Sequence, residues 1–341
     1  EKRLRIREIR ETTEIKYLYL LIEYCMDDDT DDVYRAKRFY EIDTIKGVAT
    51  ILMVIFHFFY LMYHMNIAEY NIRCGSLYAS AKIAHILFIF AVGVNLAISY
   101  KKFRRKHRED YKNNKYQYYN QFIGKTLRRV LYLLLAGMTM SFLSYITFGD
   151  LYVKFGIFHF IAAAVFLTMP IVGSKWLSLA TSAIIGLLYT ITNNNKILEY
   201  SSKACNSAPV FCFVSGIYNT RFSSLDHFSL IPYLGLVSFG IFVGNMIYSR
   251  GRRKFLSRDK SKAMDDFFEE NTLAKNIALF GKYSFEIYFV HFVVFYLMLL
   301  GYKKAKLQLF FEHKKNTSII NDEFGRISNV QDPDCLYENG K

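Results

Sequence analysis

Metal-ligand spacings are missing from this chain of 341 residues. Its five cysteines form no CxxC pair and its eight histidines form no HxxxH or HExxH pair, so no zinc framework and no other metal site is expected. Acidic residues are scarce beside basic ones, 30 against 44, which leaves a formal net charge of +14. That excess would suit nucleic acid, but the basic residues flank long apolar runs, the pattern of a cytoplasmic membrane face. No nucleic-acid partner is expected. A cleavable signal peptide is also missing: the apolar run from Tyr17 to Met26 is short and has no small-residue cleavage site, so it reads as an amphipathic or buried cytosolic helix.

What is present is apolar length. Hydrophobic residues make up 52% of the chain, yet the mean hydropathy is only +0.10, because apolar runs alternate with basic connectors. Runs of spanning length occur at 44–65, 77–100, 127–148, 152–172, 176–192, 230–249 and 284–302. They predict an all-α, polytopic transmembrane helix bundle of about seven membrane-spanning helices, with membrane lipids as its surroundings. Lys and Arg number eleven in 101–129 and seven in 250–262, against five in 66–76, 149–154 and 193–229 together. The positive-inside rule then places the N-terminus in the cytosol and the 193–229 loop outside or in a lumen. If that face is oxidising, Cys205 and Cys212 can bridge; otherwise they are two thiols.

The expected organisation is a cytosolic segment 1–37, one membrane domain 38–302, and a tail 303–341 on the far side. That tail holds the glycosylation triplet Asn316-Thr317-Ser318. Gly240 and Gly244 make a GxxxG step, which lets helix backbones approach closely within the bundle or across a homo-oligomer contact.

Four histidines fall inside the predicted helices: His57, His85, His159 and His291. Counted to the outer end of each helix they lie roughly 10–16 Å deep, so one layer could hold all four. An imidazole in hydrocarbon is costly unless it faces protein, water or ligand, so such a layer suits proton relay or general-base chemistry. Asp226, at the re-entry SLDHFSLIPYLG, supplies an acidic group just above it. The structural alternative for each histidine is a hydrogen bond to a neighbouring helix. At the cytosolic mouth, Arg38, Asp43, Lys46 and Arg128 stand among basic groups that could grip a phosphorylated ligand such as a nucleotide-bearing acyl carrier; contact with lipid headgroups is the plainer use.

Four stretches also carry a resemblance. EIDTIKGVATILMVIFHFF (41–59), KFGIFHFIAAAVFLT (154–168), SLDHFSLIPYLGLVSFGIFVG (224–244) and LFGKYSFEIYFVHFVVFY (279–296) resemble, in order and spacing, the catalytic membrane domain of heparan-alpha-glucosaminide N-acetyltransferases and their bacterial relatives. The resemblance implies an integral membrane acyltransferase that moves acetyl from cytosolic acetyl-CoA to an amino sugar or glycan at the opposite face. His57 or His291 would be the acid/base, His159 and Asp226 would complete the site, and Lys46 would lie near the CoA phosphates. A histidine could deprotonate the acceptor or carry the acetyl group itself. The loop 66–76 contains neither histidine nor tryptophan, unlike animal members, and His57 follows the bacterial pattern. The membrane expected is the plasma membrane or an endolysosomal or endoplasmic reticulum membrane. A reading from another class is a proton-coupled carrier of a small solute, with the histidines as relay; it predicts related halves, and no internal repeat is visible.

Overall fold

The computed structural model describes residues 39–68, 72, 74–192, 205, 207–216, 224–249 and 252–317. Arg38, the segment 1–37 and the helix expected over 17–26 lie outside the described residues. In chain order the helices are α1 (Tyr40–His64), α2 (Gly75–Lys106), α3 (Arg108–Asn113), α4 (Lys115–Phe148), α5 (Ile157–Thr168), α6 (Lys175–Thr192), α7 (Pro209–Ser215) and α8 (Leu230–Ile247). After a two-residue antiparallel ladder, β1 (Tyr248–Ser249) with β2 (Arg252–Arg253), come α9 (Arg258–Glu270), α10 (Thr272–Lys282) and α11 (Ser284–Thr317). Among the described residues six helices, α1, α2, α4, α6, α8 and α11, are long and apolar enough to cross a membrane. The protein is a helical membrane bundle.

The run 152–172 differs from its expectation of a full span. It yields only the 12-residue α5, about 18 Å long against a hydrocarbon core of about 30 Å. Its first residues are drawn into extended pairing: Phe155 bridges His227 in parallel register, the Phe228 amide donates to the Phe155 carbonyl at 3.0 Å, and the Leu225 amide donates to the Leu151 carbonyl at 2.9 Å. Its far end stops short of Pro170, which has no amide hydrogen to continue a helix. Hydropathy registers apolar length and is blind to this competition for backbone hydrogen bonds.

Two compact units make up the chain, one drawn from residues 1–39 and 89–262, the other from 40–88 and 263–341. In the first, α2 and α8 cross backbone to backbone. A Cβ on Gly93 would lie 2.2 Å from the Val237 carbonyl oxygen, and one on Gly240 would lie 2.4 Å from that of Phe90. Gly244 continues the contact against Ala97. The GxxxG step therefore serves a crossing inside this unit. Just beyond, the Lys101 ammonium donates to the carbonyls of Gly244 (3.3 Å), Asn245 (2.9 Å) and Tyr248 at the end of α8, and so caps the negative end of that helix. Lys101→Met keeps the chain length and removes these donors. It is expected to lower stability by about 1–3 kcal/mol, read as an earlier midpoint in thermal unfolding in detergent. On α4, Leu131, Leu135, Met138 and Phe142 form an exposed stripe at helical spacing, a surface for lipid chains.

In the second unit, α1 packs against α10 and α11. Gly47 and Gly281 meet at the α1–α10 crossing, where a Cβ on Gly281 would lie 1.7 Å from the Asp43 carbonyl oxygen and one on Gly47 would lie 1.9 Å from that of Ile277. Tyr40 at the start of α1 donates to the Glu269 carboxylate at 3.2 Å. Towards the other end of α1, the Phe58 ring meets Phe295 of α11 edge to face, with centroids 5.4 Å apart. The Lys303 ammonium donates to the Met65 carbonyl at 3.2 Å. Contacts that advance together along both chains make α1 and α11 parallel.

Candidate functional site

His57 sits in the interior of α1, a helix with acidic residues only in its first turn, and His291 sits two turns into α11. The parallel packing of the two helices brings the rings together. His57 Nδ1 and His291 Nε2 are 2.9 Å apart, and the rings lie edge to edge with centroids 5.1 Å apart and planes tilted by 24°. His291 is buried, and its Nδ1 lies 2.8 Å from the Ile287 carbonyl one turn back on its own helix. Around the pair stand Tyr60, Tyr288 and Phe292 against His57 and Tyr288, Phe292 and Phe295 against His291. His57 Nε2 meets no hydrogen-bond partner among the described residues. The chemical content is compact: two imidazoles edge to edge in hydrogen-bond contact, walled by aromatic rings, with one ring nitrogen left to act on something else.

His85 belongs to the same unit and lies within electrostatic range of His57. The mouth residues of that unit are near the start of α1. Lys46 Nζ pairs with Asp43 Oδ1 at 2.7 Å, one helical turn apart and both largely shielded from solvent. The Gly47–Gly281 crossing seats this pair, since the Asp43 carbonyl is the atom that presses on Gly281. Arg128 belongs to the other unit, exposed on α4, where it makes no hydrogen bond or ion pair among the described residues.

His159 and Asp226 also lie in that other unit, at the start of α5. Gly156 is the residue before the helix, and a Cβ there would lie 3.2 Å from Asp226 Oδ2, so the carboxylate rests over the amide-rich N-terminus of α5, where negative charge is favoured. His159 is three residues further on. Its ring fills the space left by Gly137 on α4, where a Cβ would lie 2.8 Å from His159 Cε1, and its buried Nδ1 has no partner among the described residues. Beside Asp226, the His227 Nε2–H donates to the Phe213 carbonyl at 2.7 Å and the two rings stack at 4.1 Å. Burial holds the His227 imidazole below its ordinary range, and the Phe213 bond offsets part of that. Phe213 adjoins Cys212, which is bridged to Cys205; of the two readings left open for that pair, the structure has the disulfide. Cys74 is disulfide-bonded as well.

Sequence reasoning nominated both members of the His57–His291 pair without pairing them. It missed the Ile287 carbonyl, the aromatic walls and the glycine crossing. An isolated glycine in an apolar helix, as at Gly47, is a visible sign of close backbone approach. The aromatic walls have no comparable sign among 58 Tyr and Phe residues.

Residues 38–293 match the sequence profile described as heparan-alpha-glucosaminide N-acetyltransferase, catalytic. The matched stretch contains both His57 and His291. No curated protein matches the chain, and no solved structure does.

Proposed function

The chain belongs to the heparan-alpha-glucosaminide N-acetyltransferase catalytic family, and from that premise we propose that it transfers acetyl from acetyl-CoA to the amino group of a sugar or glycan. The observation that carries this reading is the His57–His291 pair, a neutral base in the interior of two membrane-spanning helices and inside the family's matched region. An amino sugar in water is largely an ammonium ion and is not nucleophilic until a proton leaves it. His57 Nε2 takes that proton. The freed amine attacks the thioester carbonyl, the new C–N bond forms, the C–S bond breaks, the departing thiolate recovers the proton from the imidazolium, and the second nitrogen proton, shed as the amide forms, leaves through the regenerated Nε2 to water. Burial among aromatic rings keeps water from competing for the acetyl group.

The donor lies at the face where α1 begins, which is the cytosolic one, with its phosphates beside the Lys46 ammonium that Asp43 holds in place. The acceptor reaches the pair from the opposite face. The test uses the full chain in lipid nanodiscs, acetyl-CoA labelled in the acetyl group, and glucosamine as acceptor. Labelled N-acetylglucosamine with stoichiometric CoA release is expected. Folded protein that neither binds acetyl-CoA nor releases CoA with glucosamine or a glucosaminide would overturn the reading.

A further inference from the structure

The histidine pair has a direction, set by the one atom in it that can only accept a hydrogen bond. The Ile287 carbonyl cannot donate, so the His291 nitrogen 2.8 Å from it, Nδ1, carries the hydrogen. A neutral imidazole has one N–H, so His291 Nε2 presents a lone pair. The contact at 2.9 Å then requires His57 Nδ1 to be the donor. His57 in turn has its single hydrogen on Nδ1, which leaves Nε2 as the bare nitrogen. We infer that His291 is a positioning residue, which the Ile287 carbonyl sets in one tautomer so that it holds His57 with Nε2 unprotonated and aimed away from the pair as the reacting nitrogen. This rests on the acyl-transfer reading for its chemistry, but the tautomer follows from the geometry alone.

The arrangement also gives the proton somewhere to go. When His57 Nε2 gains a proton from the acceptor, its Nδ1–H becomes a stronger donor to His291 Nε2, and the charge spreads over the two hydrogen-bonded rings. Both rings cannot be cationic at this distance without strong repulsion, so the pair holds one proton charge between them. When the leaving thiolate takes a proton from His57 Nε2, the Nδ1–H···Nε2 bond returns to its starting state. The aromatic side chains around both rings oppose the flips that would exchange Nδ1 for Nε2.

The experiment reads tautomers directly. Full-length protein labelled with ring-¹⁵N histidine is placed in nanodiscs and compared by solid-state NMR with His57→Ala, His291→Gln and His291→Leu. In the wild type, the signals lost in His57→Ala should be one protonated and one imine-type nitrogen, assigned as Nδ1–H and bare Nε2, with a cross-peak to His291. His291→Leu should mix the His57 tautomers and lower kcat about 10- to 100-fold, with KM for acetyl-CoA unchanged. His291→Gln, whose amide oxygen can accept from His57 Nδ1–H, should keep the tautomer and recover most of the rate. Wild-type spectra with His57 protonated on Nε2, or His291→Leu with an unaltered tautomer, would overturn the assignment. A wild type with the stated tautomer and no acetyl transfer would remove the enzymatic reading and leave the assignment standing.

Discussion

Replacing His57 with alanine is expected to slow acetyl transfer by about 10²- to 10⁴-fold, the range supplied by a positioned general base. The effect should fall on kcat, because the side chain lies at the histidine pair and the proposed donor site is at the start of α1. His57→Ala also leaves His291 Nε2 without its donor in a buried setting, which should cost stability of about 1 kcal/mol. Activity is therefore compared at equal folded concentration, judged by gel filtration and thermal midpoint. A parallel His64→Ala variant is the control. His64 meets the Tyr60 ring at a tilt of 51°, with centroids 4.4 Å apart, at the end of the same helix, and its replacement should leave kcat within about twofold. Equal rates for His57→Ala and wild type would remove His57 from the chemistry.

Gly281→Ala should be the most damaging conservative change in the second unit. The added carbon would lie 1.7 Å from the Asp43 carbonyl oxygen and 2.8 Å from the Gly47 amide nitrogen. Those are backbone atoms, and a Cβ has no rotamer by which to avoid them, so α1 and α10 must separate. Overpacking of this kind costs about 1–3 kcal/mol, more where backbone must move. Loss of folded protein from detergent extracts, or a thermal midpoint lowered by several degrees, is the expected reading. Gly301→Ala supplies the contrast. It sits on α11 with nothing within 4 Å of its added carbon, where alanine's better helix propensity should leave stability equal or slightly raised. A Gly281→Ala protein as stable as Gly301→Ala would mean the crossing is looser than these distances.

The helices were legible because hydropathy over about 20 residues reports the one thing a bilayer demands. Their ends were less so. α11 runs on to Thr317 past the predicted stop at 302, since its charged later half, from Lys303, is polar without being any less helical. The run 152–172 lost its first residues to pairing with 224–228, a contact between segments some seventy residues apart that no local window contains. The site was half visible. His57 and His291 stood out as expensive residues in apolar helices, but their meeting depends on the rotation of α1 against α11, which is set by packing. Lys46 and Asp43 were nominated singly at the mouth; their pairing follows from helical spacing, since residues three apart are neighbours.

The parallel course of α1 and α11 fixes the parity of the chain. Two membrane-crossing helices that run the same way leave Tyr40 and Thr317 on opposite sides, which needs an odd number of crossings, one more than the six long apolar helices among the described residues. With 34 residues, α11 extends about 51 Å and outruns a hydrocarbon core of about 30 Å. Its last turns run on past that length, and Asn316 is the last residue but one of the helix, beyond the level at which Lys303 meets the end of α1.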